Sequence, residues 1–259
     1  MKIKQYQVDA FTDRAFKGNP AAVCQLKFWP DDSLLQNIAM ENNLSETAFF
    51  VRTKKIFSIR WFTPLTEVDL CGHATLAAAH VIFSELGYKN DRILFDSRSG
   101  ELIVNKINNV IQMDFPSYDL KQIDAPEILV NALGIPPKEV LLSDDYIAVY
   151  DTEEMVVKIR PDNFLLSTLD SRGVAITAPG NQVDFVSRFF APKLGVPEDP
   201  VTGSAHCALA PYWASRFGKK KLQAKQLSQR GGNLLCEVLG NRTLLSGNAV
   251  TVMETKIRL

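Results

Sequence analysis

Apolar residues are densest between Ala74 and Phe83, where only Thr75 and His80 are polar. Such a run has no polar face to give to solvent, so it predicts a helix buried on nearly every side. Glycines bound it, Gly72 at the opening and Gly87 at the close, and the helix is placed at 73–86. Small Ala77, Ala78 and Ala79 let surrounding backbone approach closely. Before it, residues 3–11 alternate as a strand does, and Gly18-Asn19-Pro20 turns the chain into a second strand through Val23. Leu34, Leu35, Ile38 and Ala39 recur at helical spacing after Asp31 and Asp32, either of which can cap the helix that Asn42-Asn43 ends. Strands follow over 45–51 and 57–61. After the buried helix come strands at 93–95, 101–107 and 110–115, the last two joined by an Asn108-Asn109 turn.

Beyond Pro116-Ser117 the pattern gives a helix near 126–133 ended by Gly134, strands near Val140, Ile147 and Val157, and a helix near 162–169. Strands at 174–177 and 183–190 lead to a second apolar helix at 204–217, and Gly240-Asn241 marks a closing hairpin. The two apolar helices echo each other. At a spacing of 131, Gly72/Gly203, Ala74/Ala205, Ala77/Ala208, Ala79/Ala210, Ser84/Ser215 and Gly87/Gly218 agree, and Arg60-Trp-Phe-Thr-Pro64 is echoed by Arg188-Phe-Phe-Ala-Pro192. This predicts a duplication, residues 1–116 forming one half and 117–259 the other, each around its own helix. Many short strands with one buried helix per half, not alternating one for one, predict an α+β fold. Pro211 inside the second helix predicts a kink or an early end.

The 29 Lys and Arg balance 29 Asp and Glu, so no net field favours nucleic acid or an anionic membrane as a partner. The first residues carry no apolar signal core, and no run approaches the roughly 18 apolar residues of a membrane span, so a soluble cytoplasmic chain is expected. Cys24, Cys71, Cys207 and Cys236 form no Cys-x-x-Cys pair, and His73, His80 and His206 are scattered. Neither disulfides nor a metal centre is expected.

Glu46 stands where the polar Asn42-Asn43 region gives way to the apolar run Ala48-Phe-Phe-Val51. A carboxylate partly buried there can serve as general acid or base, though the local sequence by itself favours a surface glutamate at a strand start. Asp199-Pro200 reads as a helix opening, with Asp as cap and Pro at the first helical position, and can also carry function. His73 either caps its helix or faces a ligand. Cys71 is either an activated thiol or a small buried residue. Neither glycine turn fits a nucleotide-binding loop. The unpaired N–H groups of two helix starts, at Gly72 and Gly203, suit one small anion held at a shared site.

Taken together, Val8-Asp-Ala-Phe-Thr12, Gly18-Asn-Pro-Ala-Ala-Val23, Leu44-Ser-Glu-Thr-Ala-Phe49, Asp69-Leu-Cys-Gly-His-Ala-Thr-Leu-Ala77, Asp199-Pro-Val-Thr-Gly-Ser-Ala205 and Gln229-Arg-Gly-Gly232 closely resemble the PhzF-like family, named for a phenazine-biosynthesis isomerase. The resemblance implies the diaminopimelate-epimerase fold: two pseudo-symmetric halves, each a barrel-like sheet around a central helix, with the last strand, about 247–259, returning to the first half. It further implies a homodimer and an isomerase without cofactor or metal that moves a proton between carbons of a small carboxylate-bearing metabolite. Its catalytic glutamate falls on Glu46, its assisting residues on His73 and Asp199, and its active-site serine on Ser204; with Ser204, Asn19 and the helix-start glycines Gly72 and Gly203 are the expected substrate contacts. Two other functions stay open: a two-base racemase or epimerase, for which Cys71 is the one thiol beside a helix start, and a binding protein of the same fold.

Overall fold

The computed structural model describes residues 2–53 and 56–259. In chain order the elements are β1 (Lys2–Ala10), β2 (Asn19–Leu26), α1 (Asp32–Asn42), β3 (Glu46–Arg52), β4 (Phe57–Phe62), β5 (Glu67–Val68), α2 (Gly72–His80), β6 (Arg92–Ser97), β7 (Gly100–Ile107) and β8 (Val110–Pro116). There follow β9 (Lys121–Ile123), α3 (Glu127–Leu133), β10 (Glu139–Leu142), β11 (Tyr146–Val149), α4 (Glu153–Lys158), α5 (Asn163–Ser167), β12 (Val174–Pro179) and β13 (Phe185–Ala191). The chain closes with β14 (Val196–Asp199), α6 (Gly203–Phe217), β15 (Lys221–Gln226), β16 (Gly232–Leu239), β17 (Arg242–Gly247) and β18 (Ala249–Arg258). The fold is α+β. It divides into a first unit, residues 1–114 with 246–259, and a second, residues 115–245.

In the first unit β1 lies between β2 and β18, antiparallel to both. Strand β2 is parallel to β3, a pairing that needs a crossover, which α1 supplies. Strand β4 runs antiparallel to β3 and β5 and parallel to β6, with α2 inside that second crossover. Helix α2 packs on β1, β2, β3 and β18. Its Leu76 and all four alanines are fully buried, as the apolar run predicts. Burying a leucine-sized side chain is worth about 1.5–3 kcal/mol, so this helix is held by packing rather than by exposed polar pairs. The α-helix stops at His80, and residues 81–85 continue as one π-helical turn that keeps Val81, Ile82 and Phe83 buried.

The second unit repeats the pairings in the same order. Strands β10 and β11 are antiparallel, β11 and β12 parallel, β12 and β13 antiparallel, β13 and β14 antiparallel, and β13 and β15 parallel, with α6 in the last crossover. One side-chain bond recurs with them. Arg60 on β4 reaches Glu67 on β5 through Nε and Nη2, each at 2.7 Å, and Arg188 on β13 reaches Glu198 on β14 at 2.7 and 3.0 Å. A two-pronged guanidinium–carboxylate bond fixes geometry as well as energy, so in each unit it fastens the short strand that leads to the buried helix.

Three local expectations change. Val157, expected in a strand, lies in α4, where the Thr152 hydroxyl caps the Met155 N–H at 3.3 Å and Glu153 and Glu154 occupy the first turn. The cap outweighs the β preference of Val156-Val157. Asp199-Pro200 does not open α6: Asp199 ends β14, and the N-cap is Thr202. Pro211 does not end the helix, which runs on to Phe217. A proline leaves the carbonyl four residues earlier without its helical donor, here that of Cys207, and the Tyr118 N–H takes it at 3.1 Å.

Candidate active site

Three chain starts meet in the first unit: the first residue of β2, Asn19; the first of β3, Glu46; and the first turn of α2, Gly72-His73, preceded by Cys71. The β2–β3 register sets Glu46 beside Ala21. Its side chain keeps 19% of its surface exposed, whereas that of His73 keeps 6%. His73 Nε2 and Glu46 Oε2 are 3.1 Å apart. The approach is close but not aligned as a hydrogen bond, and both atoms are buried with no other partner among the described residues. Buried polar atoms are nearly always paired, so this unfinished contact is unusual.

The other ring nitrogen is well surrounded. Asn19 Nδ2 lies 3.2 Å from His73 Nδ1, and Cys71 Sγ lies 3.6 Å from it. Ser45 Oγ stands 3.5 Å from Asn19 Oδ1. Burial, the largest influence on His73, works against a charged ring, but Cys71 and Glu46 outweigh it, and the pKa lies well above that of a free histidine. Burial, with Glu46 adding to it, pushes the Cys71 thiol up. Cys71 is therefore an uncharged S–H at neutral pH, and the negative charge that favours a proton on His73 is that of Glu46.

Glu46, Cys71 and His73 have donor atoms within 4.8 Å of one another, which raises the question of a metal ion. The sulfur faces Nδ1 and the carboxylate faces Nε2, opposite sides of the ring. One ion takes one imidazole nitrogen, so the three groups do not converge on a common point as placed.

In the second unit the start of α6 is built from Thr202, Gly203 and Ser204. Thr202 donates its hydroxyl to Asp199 Oδ2 at 2.5 Å, and its N–H goes to Gln226 Oε1 at 2.9 Å. Gln226, wholly buried, returns its amide nitrogen to the Asp199 carbonyl at 2.7 Å. Ser228 holds the Pro200 carbonyl at 2.8 Å while accepting the Gly231 N–H. The Gln229-Arg-Gly-Gly232 stretch thus belongs to a clamp on the loop before α6, and Gly231 there has φ of 67°, which suits glycine. Ser204 Oγ accepts from Arg172 Nη2 at 3.0 Å, and Arg172 is itself held by buried Asp145 at 3.0 and 2.5 Å.

Of the residues singled out in the sequence, Asn19, Glu46, Gly72 and His73 come together in the first unit, and Asp199, Gly203 and Ser204 line the start of α6 in the second. Sequence reasoning missed Ser45, Gln226, Arg172 and Asp145 as parts of these settings. A polar residue that acts through a partner tens of residues away leaves no periodic signal.

The two units are chemically unequal. The N-cap of α2 is Cys71, whereas that of α6 is Thr202. Cys207 lies inside α6, buried, with Sγ against the Gly203 carbonyl. Strand β3 opens on Glu46, whereas β12 opens on Val174.

An epimerase-like α+β fold with one acid–histidine pair defines the class to which comparison then adds a family. The family model described as phenazine biosynthesis-like protein, PhzC-PhzF, matches residues 8–255. The chain belongs to that family. A Pseudomonas aeruginosa protein named an uncharacterized isomerase is 52% identical over 260 residues and the match spans 100% of both chains. The crystal structure of a PhzF-family phenazine biosynthesis protein from Enterococcus faecalis superposes with a TM-score of 0.97 at 46% identity over 100% of both chains. A hydroxyproline epimerase from Agrobacterium vitis shares the fold at a TM-score of 0.67 and 9% identity, covering 99% of this chain and 92% of its own. The chain is thereby placed among enzymes of the isomerase class.

Proposed function

We propose that this protein moves a proton between two carbons of a small carboxylate-bearing metabolite, without a cofactor, and that Glu46 takes up and returns that proton. The observation that carries the reading is the Glu46 carboxylate, partly open to solvent, with its buried Oε2 met among the described residues by His73 Nε2 at 3.1 Å. A base must reach its substrate, and the part of this carboxylate that is open to solvent can do so while its buried oxygen lies against His73. His73 serves as the partner that holds the carboxylate and steadies its charge. Asp199 is assigned an assisting role, with its orientation set by Thr202. The backbone N–H groups at Gly72-His73 and those at Gly203-Ser204, each at a helix start that favours negative charge, are the proposed contacts for a substrate carboxylate. Asn19, with no exposed surface, is assigned a role that acts through His73.

A two-base racemase fits less well, because it needs a second base opposite the first. Cys71 has no thiol counterpart at the N-cap of α6, and Glu46 has no carboxylate counterpart at the start of β12. The formal charge of zero argues against nucleic acid or an anionic membrane as partner. No described helix is long and apolar enough to cross a membrane. We further propose a cytoplasmic homodimer, which sedimentation at micromolar concentration tests.

The test of function is turnover of a library of small carboxylates in heavy water, read by deuterium uptake into substrate or product. Exchange abolished in Glu46→Gln supports the assignment. Ligand binding with no exchange in the wild type overturns it in favour of a binding protein.

A further inference from the structure

Histidine has two neutral forms, and which nitrogen carries the hydrogen is decided by what faces each one. His73 Nδ1 is faced by Asn19 Nδ2 at 3.2 Å, an amide nitrogen that can only donate, and by the Cys71 thiol at 3.6 Å, whose S–H is also a donor. His73 Nε2 is faced by Glu46 Oε2, which as a carboxylate can only accept. Two donors on one nitrogen and an acceptor on the other give a consistent hydrogen placement. We infer that Asn19 is a positioning residue that fixes the hydrogen of the neutral His73 ring on Nε2, against Glu46, so that Nδ1 takes a second proton only if the Asn19 amide turns its oxygen toward the ring.

Burial supports the inference. Asn19 is 0% exposed and His73 5%, so water does not compete for Nδ1 as it does for a surface imidazole. The titratable groups against the ring are Glu46 and Cys71, and the thiol stays protonated because burial raises its pKa. The amide of Asn19 can present a strong donor or, by turning over and giving up the contact of its oxygen with Ser45, a strong acceptor to Nδ1, whereas the thiol offers only weak ones. Strand β2 carries Asn19 at its first residue, and its pairing with Ala10 on β1 fixes the backbone there. The consequence for catalysis rests on the proposed role of Glu46: a hydrogen kept on Nε2 steadies the carboxylate, and a protonated Nδ1 would add a full positive charge beside it. The hydrogen's position does not depend on that role and can be measured on a protein that turns nothing over.

The protein has only three histidines, so nitrogen-15 NMR of uniformly labelled protein resolves the three rings, and His80→Gln and His206→Gln variants assign them. In a pH series on the wild type, the neutral His73 ring is expected to show a protonated Nε2 and an unprotonated Nδ1. Asn19→Asp places an acceptor against Nδ1, and is expected to move the hydrogen to Nδ1 and to raise the ring pKa by about one unit or more. Asn19→Leu removes the donor and is expected to lower the Nε2-protonated fraction. A wild-type neutral ring carrying its hydrogen on Nδ1 overturns the inference without reference to any variant, which keeps the test open should Asn19→Asp fail to fold. A folded Asn19→Asp and Asn19→Leu pair that leave both hydrogen position and pKa unchanged overturn it equally. Loss of exchange activity in Glu46→Gln is a separate result, so failure here and failure of the proposed function are read from different measurements.

Discussion

At Glu46 and Cys71, two neighbours of one histidine, the physical settings predict opposite outcomes of mutation. Glu46→Gln keeps size and hydrogen-bonding reach but removes the group that accepts a proton, so turnover and exchange should fall by roughly 10² or more while ligand binding persists. Cys71→Ala removes a buried, protonated thiol and should retain most activity, with a modest loss of stability. An inactive Cys71→Ala beside an active Glu46→Gln, both folded, would transfer the chemistry to the thiol. A second residue-scale prediction concerns His206, buried against Phe185, whose Nδ1 donates to the Thr202 carbonyl at 2.8 Å. Burial lowers its pKa from 6.5 to about 4. The folded ring refuses a proton that the unfolded chain accepts, so its contribution is intact above pH 6.5 and is lost as pH falls toward 4. The loss is about 3 kcal/mol at roughly 1.4 kcal/mol per pKa unit. His73 has the opposite sign: its raised pKa gives stability present below 6.5 and lost on raising the pH, so it adds little slope in the same window. Urea unfolding of the wild type against His206→Gln between pH 7 and pH 4 should show this slope in the wild type alone. Equal slopes in both proteins would remove it.

Elements were legible in the sequence where local chemistry and packing agree. Helix α1 ends at Asn43 in the left-handed region and α3 at Gly134, as Asn42-Asn43 and Gly134 signalled. The apolar run of α2 and the Asn108-Asn109 turn, with Asn108 at φ of 56°, were equally direct. What could not be read was set by partners distant in sequence. The fate of Pro211 depends on Tyr118, the tie of Ser204 on Arg172, and the setting of His73 on Asn19, and no periodicity joins such positions. Glu46 and His73 were legible through their motifs, whereas their contact needed the register of β2 with β3. Pro211 gives a prediction at this scale. A proline inside a helix ordinarily costs about 3 kcal/mol, part of it the lost hydrogen bond. Here Tyr118 already satisfies the Cys207 carbonyl. In Pro211→Ala the new N–H must share that carbonyl, so chemical denaturation should show a gain of less than about 1 kcal/mol. A gain near 3 would mean that the Tyr118 bond does not compensate.

Across the whole molecule, the chain repeats one order of strand pairings yet distributes its chemistry unequally. The acid, the thiol and the site histidine belong to the first unit, while the second contributes a loop clamped by Gln226 and Ser228 in front of α6. The first unit is also the one that the chain completes last. Strand β18 lies along the length of β1, from Lys2 beside Arg258 to Ala10 beside Ala249, with one irregularity between Gln7 and Val8. Much of β18 is itself partly exposed, so its contribution comes largely from the backbone ladder it completes on β1. The nine register pairs at about 1 kcal/mol for each net hydrogen bond amount to roughly 9 kcal/mol, as much as the 5–15 kcal/mol that keeps an ordinary domain folded. Pairing the two ends of a 259-residue chain is also a non-local step of the kind that folds slowly. Removing residues 249–259 should therefore unfold the first unit, seen as loss of amide protection throughout β1 and β2 and of all exchange activity assigned to Glu46. In the intact protein, β1 and β18 amides should exchange together, at the rate of the unit as a whole. A truncated chain that keeps β1 protected, or a β18 that frays independently of β1, would show that the first unit is held by α2 and its packing alone.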